Sequence, residues 1–151
     1  MKKIHKNGST DPRQNNNISS DRSRMNSSLK LIVIPFLKDL SFTGNFSHLR
    51  RIGKKSIDLI TFQFDKWGSG FVIEISHCSS GSITTRWGEK ISPNPNKVRA
   101  WDVESRVRIQ LKTGSGTDSW FRYDKINLFG NIYNRVSRKV LALLKEKAIP
   151  Y

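Results

Sequence analysis

The chain has 151 residues, the size of one domain, and 36% of them are hydrophobic, enough for a single ordinary core. Its formal net charge is +15, a field that attracts nucleic acid, anionic membrane surfaces or acidic proteins. The best apolar window, Leu31 to Ile34, stops at Pro35, far short of the roughly 20 apolar residues of a membrane span, so no membrane partner is expected.

The basic start, Met1 to Lys6, is followed by Asn, Ser, Asp and Arg rather than an apolar run, which argues against a secretory signal and for a cytoplasmic protein. Cys78 is the only cysteine, which excludes an intrachain disulfide and fits a reducing compartment. Six Lys/Arg against two Asp put +4 on residues 1–28 and leave +11 for the rest, so the folded part is itself basic. No dense Lys/Arg run occurs; Arg50-Arg51 and Lys54-Lys55 form the nearest cluster.

Residues 1–26 read as a disordered basic and polar tail, because Asn7–Met25 has almost no apolar side chain to offset its ordering entropy. Met25 is also a candidate translation start. A single α+β domain is expected over 27–151. Its first helix is expected to be capped at Ser27 or Ser28, with Leu29, Ile32, Val33, Phe36, Leu37 and Leu40 on one face. Pro35 predicts a kink at Ile34, and Gly44 marks the exit.

Strands are expected at Phe46–Ile52, Ile57–Phe64 and Phe71–His77, with turns at Gly53–Ser56 and at Asp65–Gly70. Ile83–Arg86 reads as a short strand and Trp87–Asp102 as a long ordered loop. Arg106–Leu111 alternates like a half-exposed strand, Thr113–Ser119 reads as a Gly/Ser turn, and Trp120–Tyr123 as a last strand. Helical spacing then runs from Phe129 to Leu144, with Pro150 beyond. The order helix, meander of four to six strands, helix predicts an antiparallel sheet with both helices on one face.

Pairing Phe64 with Phe71 sets Phe62 opposite Ile73, Ile60 opposite Ile75 and Thr61 opposite Glu74. Pairing Ile52 with Ile57 sets Leu49 opposite Ile60 and His48 opposite Thr61. The bulky apolar groups then share a core side. The outer face carries the row His48, Thr61, Glu74, flanked by Phe46, Arg50 and Gln63. An imidazole, a carboxylate, a guanidinium and an amide on one surface make a candidate ligand site; the alternative is the solvated side of a two-faced sheet.

Other chemistry is thinly supported. Three His and one Cys are too few for a structural zinc site, and no cofactor is expected. His77 and Cys78 are adjacent on a strand, point to opposite faces and cannot share a proton, so Cys78 reads as an apolar filler. Gly114-Ser115-Gly116 lacks the rest of a phosphate loop. Asp65, Glu74, Asp102 and Glu104 read as solvated or salt-bridged carboxylates. Trp67, Trp87 and Trp101 fall in turns or loops, where they either stack a flat ligand beside Arg and Lys or fold back to seal the core; the second outcome is the expectation.

Phe62-Gln63-Phe64-Asp65-Lys66-Trp67-Gly68 with the following Gly70-Phe71-Val72-Ile73-Glu74-Ile75 is the most specific stretch, preceded by His48-Leu49-Arg50-Arg51-Ile52 and Ile57-Asp58-Leu59-Ile60-Thr61. With Val98-Arg99-Ala100-Trp101-Asp102, Arg106-Val107-Arg108-Ile109 and Trp120-Phe121-Arg122-Tyr123, the chain resembles the bacterial family named domain of unknown function 4304 over about residues 27–151. The resemblance implies an α+β domain, often standing alone in the bacterial cytoplasm, with no assigned activity. It directs attention to Gln63, Trp67, Phe71, Arg99, Arg106 and Trp120.

The expected function is a non-catalytic binding module for a protein or a small anionic ligand, of the immunity or antitoxin kind. Its candidate residues are His48, Arg50, Thr61, Gln63, Trp67, Glu74, Arg99, Trp101 and Arg106. The alternatives are nucleic-acid binding through the basic surface and an unrecognised enzyme using His48 and Glu74.

Overall fold

A computed structural model describes residues 12–124 and 130–147. Helix α1 spans Pro12–Ile32 and α2 spans Ile34–Asp39. The two are split at Val33, with Pro35 in the first turn of α2, where its missing N–H costs nothing. Met25, Leu29, Val33 and Leu37 recur every four residues and are all fully buried.

The helix therefore begins within the stretch expected to be a disordered tail, because Met25 extends the apolar stripe one turn upstream of Leu29. Ser28 does not cap it. Ser28 is buried, its Oγ donating to Asn134 Oδ1 at 2.7 Å and accepting from Ser137 Oγ at 2.9 Å, which ties α1 to the C-terminal helix. Residues 1–11, Phe129 and Pro150 lie outside the described residues.

Strands β1 (His48–Ile52), β2 (Ser56–Phe64) and β3 (Gly70–Ser79) form the expected antiparallel meander. Their register is the expected one, including His48 opposite Thr61, Thr61 opposite Glu74 and Phe64 opposite Phe71. A two-stranded ribbon follows, β4 (Ile83–Thr84) with β5 (Lys90–Ile91), then a short 3-10 turn at Ala100–Asp102. β5 and the 3-10 turn lie inside the stretch expected to be loop.

The strand expected over Arg106–Leu111 is divided. β6 (Val107–Arg108) pairs with β3, while β7 (Leu111–Thr113) pairs with β8 (Gly116–Asp118) as a separate ribbon. β9 (Phe121–Arg122) then returns to the same edge of β3. Helix α3 spans Ile132–Lys147.

The fold is thus α+β, with α1 packed on α3, a five-stranded antiparallel sheet and two separate two-stranded ribbons. Helices and sheet bury a common core that joins Leu29, Val33 and Leu37 to Ile60, Phe62, Phe71 and Ile73, and to Val136, Val140 and Leu144. Phe71 stacks on Phe121 at 5.2 Å between centroids, which anchors β9 to the sheet. Phe46 belongs to this side too. Its ring lies 5.2 Å from that of Phe62, so it does not flank the outer row as the sequence suggested.

Candidate functional site

The outer sheet face is not open. Ile57, Leu59 and Cys78 project from it into a second buried cluster with Ile83, Val98, Ala100 and Val103. The lid is the segment from 83 to 103, so the middle of the expected row is enclosed: Thr61 and Glu74 are buried. The 3-10 turn sits directly over Thr61, whose Oγ1 accepts a hydrogen bond from the Ala100 N–H at 3.3 Å.

Glu74 is an ion-pairing group in this arrangement. Its Oε1 accepts from Arg108 Nε at 3.1 Å and lies 3.5 Å from Arg106 Nε. Its Oε2 is buried without a hydrogen-bond partner, as is the Oγ of Ser76 two residues on, among the described residues. Gln63 is exposed towards the β2–β3 turn. Trp67 lies in that turn, 66% exposed, at the end of β2 away from the lid.

His48 remains at the edge of the lid. Its Nδ1 is 3.3 Å from Thr61 Oγ1, and its ring meets Trp101 edge-on at 4.8 Å. The Val98–Asp102 stretch delivers these neighbours by alternation. Val98 and Ala100 turn into the buried cluster, while Arg99 is exposed and places its guanidinium 5.3 Å from the Trp101 ring. Asp102 fastens the turn by accepting the Arg99 N–H at 2.9 Å.

A cleft of about 700 Å³ opens beside His48, walled by β1 on one side and Asn96, Lys97 and Arg99 on the other, with Thr43, Gly44 and Asn45 at its end. Arg50 bridges the walls: its Nη1 donates to the Pro95 carbonyl at 3.0 Å. Its Nε is buried with no hydrogen-bond partner among the described residues. Asn94 shapes the opposite wall. Its side-chain oxygen accepts from the Asn96 N–H at 3.0 Å, and its carbonyl accepts from the Lys97 and Val98 N–H groups.

The electrostatics of the cleft are one-sided. Arg50, Lys97 and Arg99 line it, and none of the lining residues is acidic. Burial, then the charges of Arg99 and Arg50, push the His48 imidazole below its ordinary value of 6.5, against a smaller upward pull from Asp102. His48 is therefore neutral at pH 7 and offers one ring nitrogen as donor and one as acceptor. Such a cleft suits a ligand group with negative charge and several acceptor oxygens.

Of the nine residues singled out in the sequence, His48, Arg50 and Arg99 line this cleft and Trp101 packs against His48 beside it, while Thr61 is buried beneath the 3-10 turn and bonded to His48. Glu74 is buried and paired with the partly exposed Arg106 and Arg108; Gln63 and Trp67 stand apart. Sequence reasoning missed Asn96 and Lys97. The signal was present in Pro93-Asn94-Pro95-Asn96, a turn-forming run just before a cation. Among the described residues, no three His, Cys, Asp or Glu side chains gather as a metal site, and no helix is long and apolar enough to cross a membrane.

The molecule is thus an α+β domain with one sheet face on a helical core and a cationic cleft at the margin of the other. The chain belongs to the family described as Domain of unknown function (DUF4304), whose profile matches residues 33–151. Neither a curated protein nor a solved structure matches it.

Proposed function

We propose that the protein is a non-catalytic binding module whose cleft takes an anionic group, carried by a small ligand or by an acidic protein partner. The observation that carries this reading is the convergence of Arg50, Lys97 and Arg99 on one cleft of about 700 Å³ whose lining holds no carboxylate. An acidic partner also suits the overall charge of +15. The enzyme reading has less support, because Glu74 is absent from the cleft lining and buried against Arg106 and Arg108.

Calorimetric titration with inorganic pyrophosphate at low ionic strength tests the proposal. The expected result is saturable binding that weakens at least about tenfold in Arg99→Ala, the size of a lost charge-assisted hydrogen bond. An Arg99→Ala variant that binds pyrophosphate as tightly as the parent, or a parent that binds none, removes this cleft as the site.

A further inference from the structure

Resting on the anion-binding cleft of that reading, but with a different carrier of the anionic group, we infer that the cleft is the phosphate-binding half of a site for single-stranded nucleic acid, and that Trp87 is the platform for its bases. The second half is a neighbouring cleft of about 430 Å³ that shares Lys97 with the first. Its walls are chemically different, with Ile83, Trp87, Ile91 and Pro93 supplying apolar surface. Lys97 belongs to the lining of both.

Trp87 is placed for contact rather than for packing. It sits in the β4–β5 loop, where Thr85 Oγ1 accepts the Trp87 N–H at 3.3 Å and the Glu89 N–H at 3.2 Å. That turn holds the indole 76% exposed beside Ile91, itself 44% exposed. The expectation that loop tryptophans fold back onto the core fails here, and it fails at Trp67. The Arg86 guanidinium lies 4.6 Å from the Trp87 ring centroid, adding a cation to the platform.

One carboxylate borders this second cleft, Asp102, and it is already engaged by the Arg99 N–H. The pair of clefts therefore presents an exposed aromatic face, then Lys97, then Arg50 and Arg99. Single strands are recognised by alternating aromatic platforms and backbone cations of this kind. A duplex, with its bases stacked inside, has none to offer Trp87.

The test measures binding of the full chain to a short oligothymidylate and, separately, to pyrophosphate, by fluorescence anisotropy and calorimetry. Trp87→Ala is expected to weaken oligothymidylate binding at least about fivefold, the low end of base-stacking effects, while leaving pyrophosphate affinity unchanged. Trp87→Phe is expected to restore most of the loss, and Trp67→Ala to cause none. Arg99→Ala should weaken both ligands and lower the oligonucleotide salt slope by about 0.7. Melting curves establish that each variant is folded, which the exposure of Trp87 favours.

Equal affinity of Trp87→Ala and the parent for oligothymidylate overturns the inference, as does equal affinity of the parent for duplex and single strand. Pyrophosphate binding without oligothymidylate binding overturns it while leaving the anion cleft intact. Binding of neither ligand overturns both readings.

Discussion

Glu74 lies opposite Arg108 across the β3–β6 pair, and its Oε1 accepts from the Arg108 Nε at 3.1 Å although the carboxylate is almost wholly enclosed. The acid is the buried partner; the Arg106 and Arg108 side chains keep 33% and 46% exposure. Burial of the pair is lopsided, and so are the consequences of breaking it.

Removing both cations, Arg106→Met with Arg108→Met, strands a charge under the lid and is expected to cost about 3–5 kcal/mol. Glu74→Met leaves two guanidinium groups that can turn to water and is expected to cost about 1 kcal/mol. Urea denaturation of the two variants checks the order; a Glu74→Met protein that is the less stable of the two contradicts it.

Acidification should destabilise the fold through His48. Its folded value lies below 6.5, so the unfolded chain binds the proton more readily. The stability this group contributes is complete above 6.5 and is lost as pH falls from there through the depressed folded value. His48→Gln is expected to flatten the melting temperature over this range. His77 is present in both proteins, so the difference isolates His48. The charged imidazole adds to Arg50, Lys97 and Arg99, so over the same fall in pH pyrophosphate affinity is expected to rise relative to that of His48→Gln, the ligand's own protonation being common to both.

Gly44 is fixed by its backbone. It has φ +111°, and a Cβ there would come within 2.7 Å of the His48 carbonyl oxygen. Gly44→Ala is expected to cost about 2 kcal/mol or more. Because Gly44 lines the cleft, pyrophosphate binding should weaken in the same variant, measured well below its melting temperature.

Cys78 is expected to be inert in the native protein. Burial, helped by the charge of Asp58, pushes its thiol above the ordinary value. Labelling by an aromatic disulfide reagent near pH 8 should be slow in native protein and fast in denaturant. Cys78→Ser should cost about 1–3 kcal/mol by placing a hydroxyl in the cluster of Ile57, Leu59 and Ile83. Fast labelling under native conditions contradicts the prediction.

The register of the β1–β2–β3 meander was legible in the sequence because each hairpin has a distinct turn and only one pairing sorts Ile60, Phe62, Ile73 and Phe64 to one side; the pairing of β6 and β9 with β3 was not. The covered outer face was legible too, but in a signal that alternation obscures. Ile57, Leu59, Val72 and Cys78 are apolar on the supposedly wet side, the mark of strands buried on both faces. What covers them was beyond local pattern, since the alternation of Val98, Arg99 and Ala100 is too short to mark a strand and Val103 falls out of step with it. The early start of α1 was hidden because Met25 alone marks its first buried turn, in a run of Asn, Ser and Arg. The cleft was half visible: β1 supplies two of its residues in a readable order, while Lys97 arrives through an irregular turn.

The sheet has little backbone left to offer a visiting strand. At the outer margin of β1, the His48 N–H is spent on Asn45, and both polar groups of Arg50 are spent on Thr43. At the opposite margin, β6 and β9 are two residues each, too short to template an incomer. Among the described residues, strand addition is thereby disfavoured at both margins of the five-stranded sheet. The side chains of Arg50, Lys97 and Arg99, rather than a free strand edge, are what the sheet margin presents to a ligand.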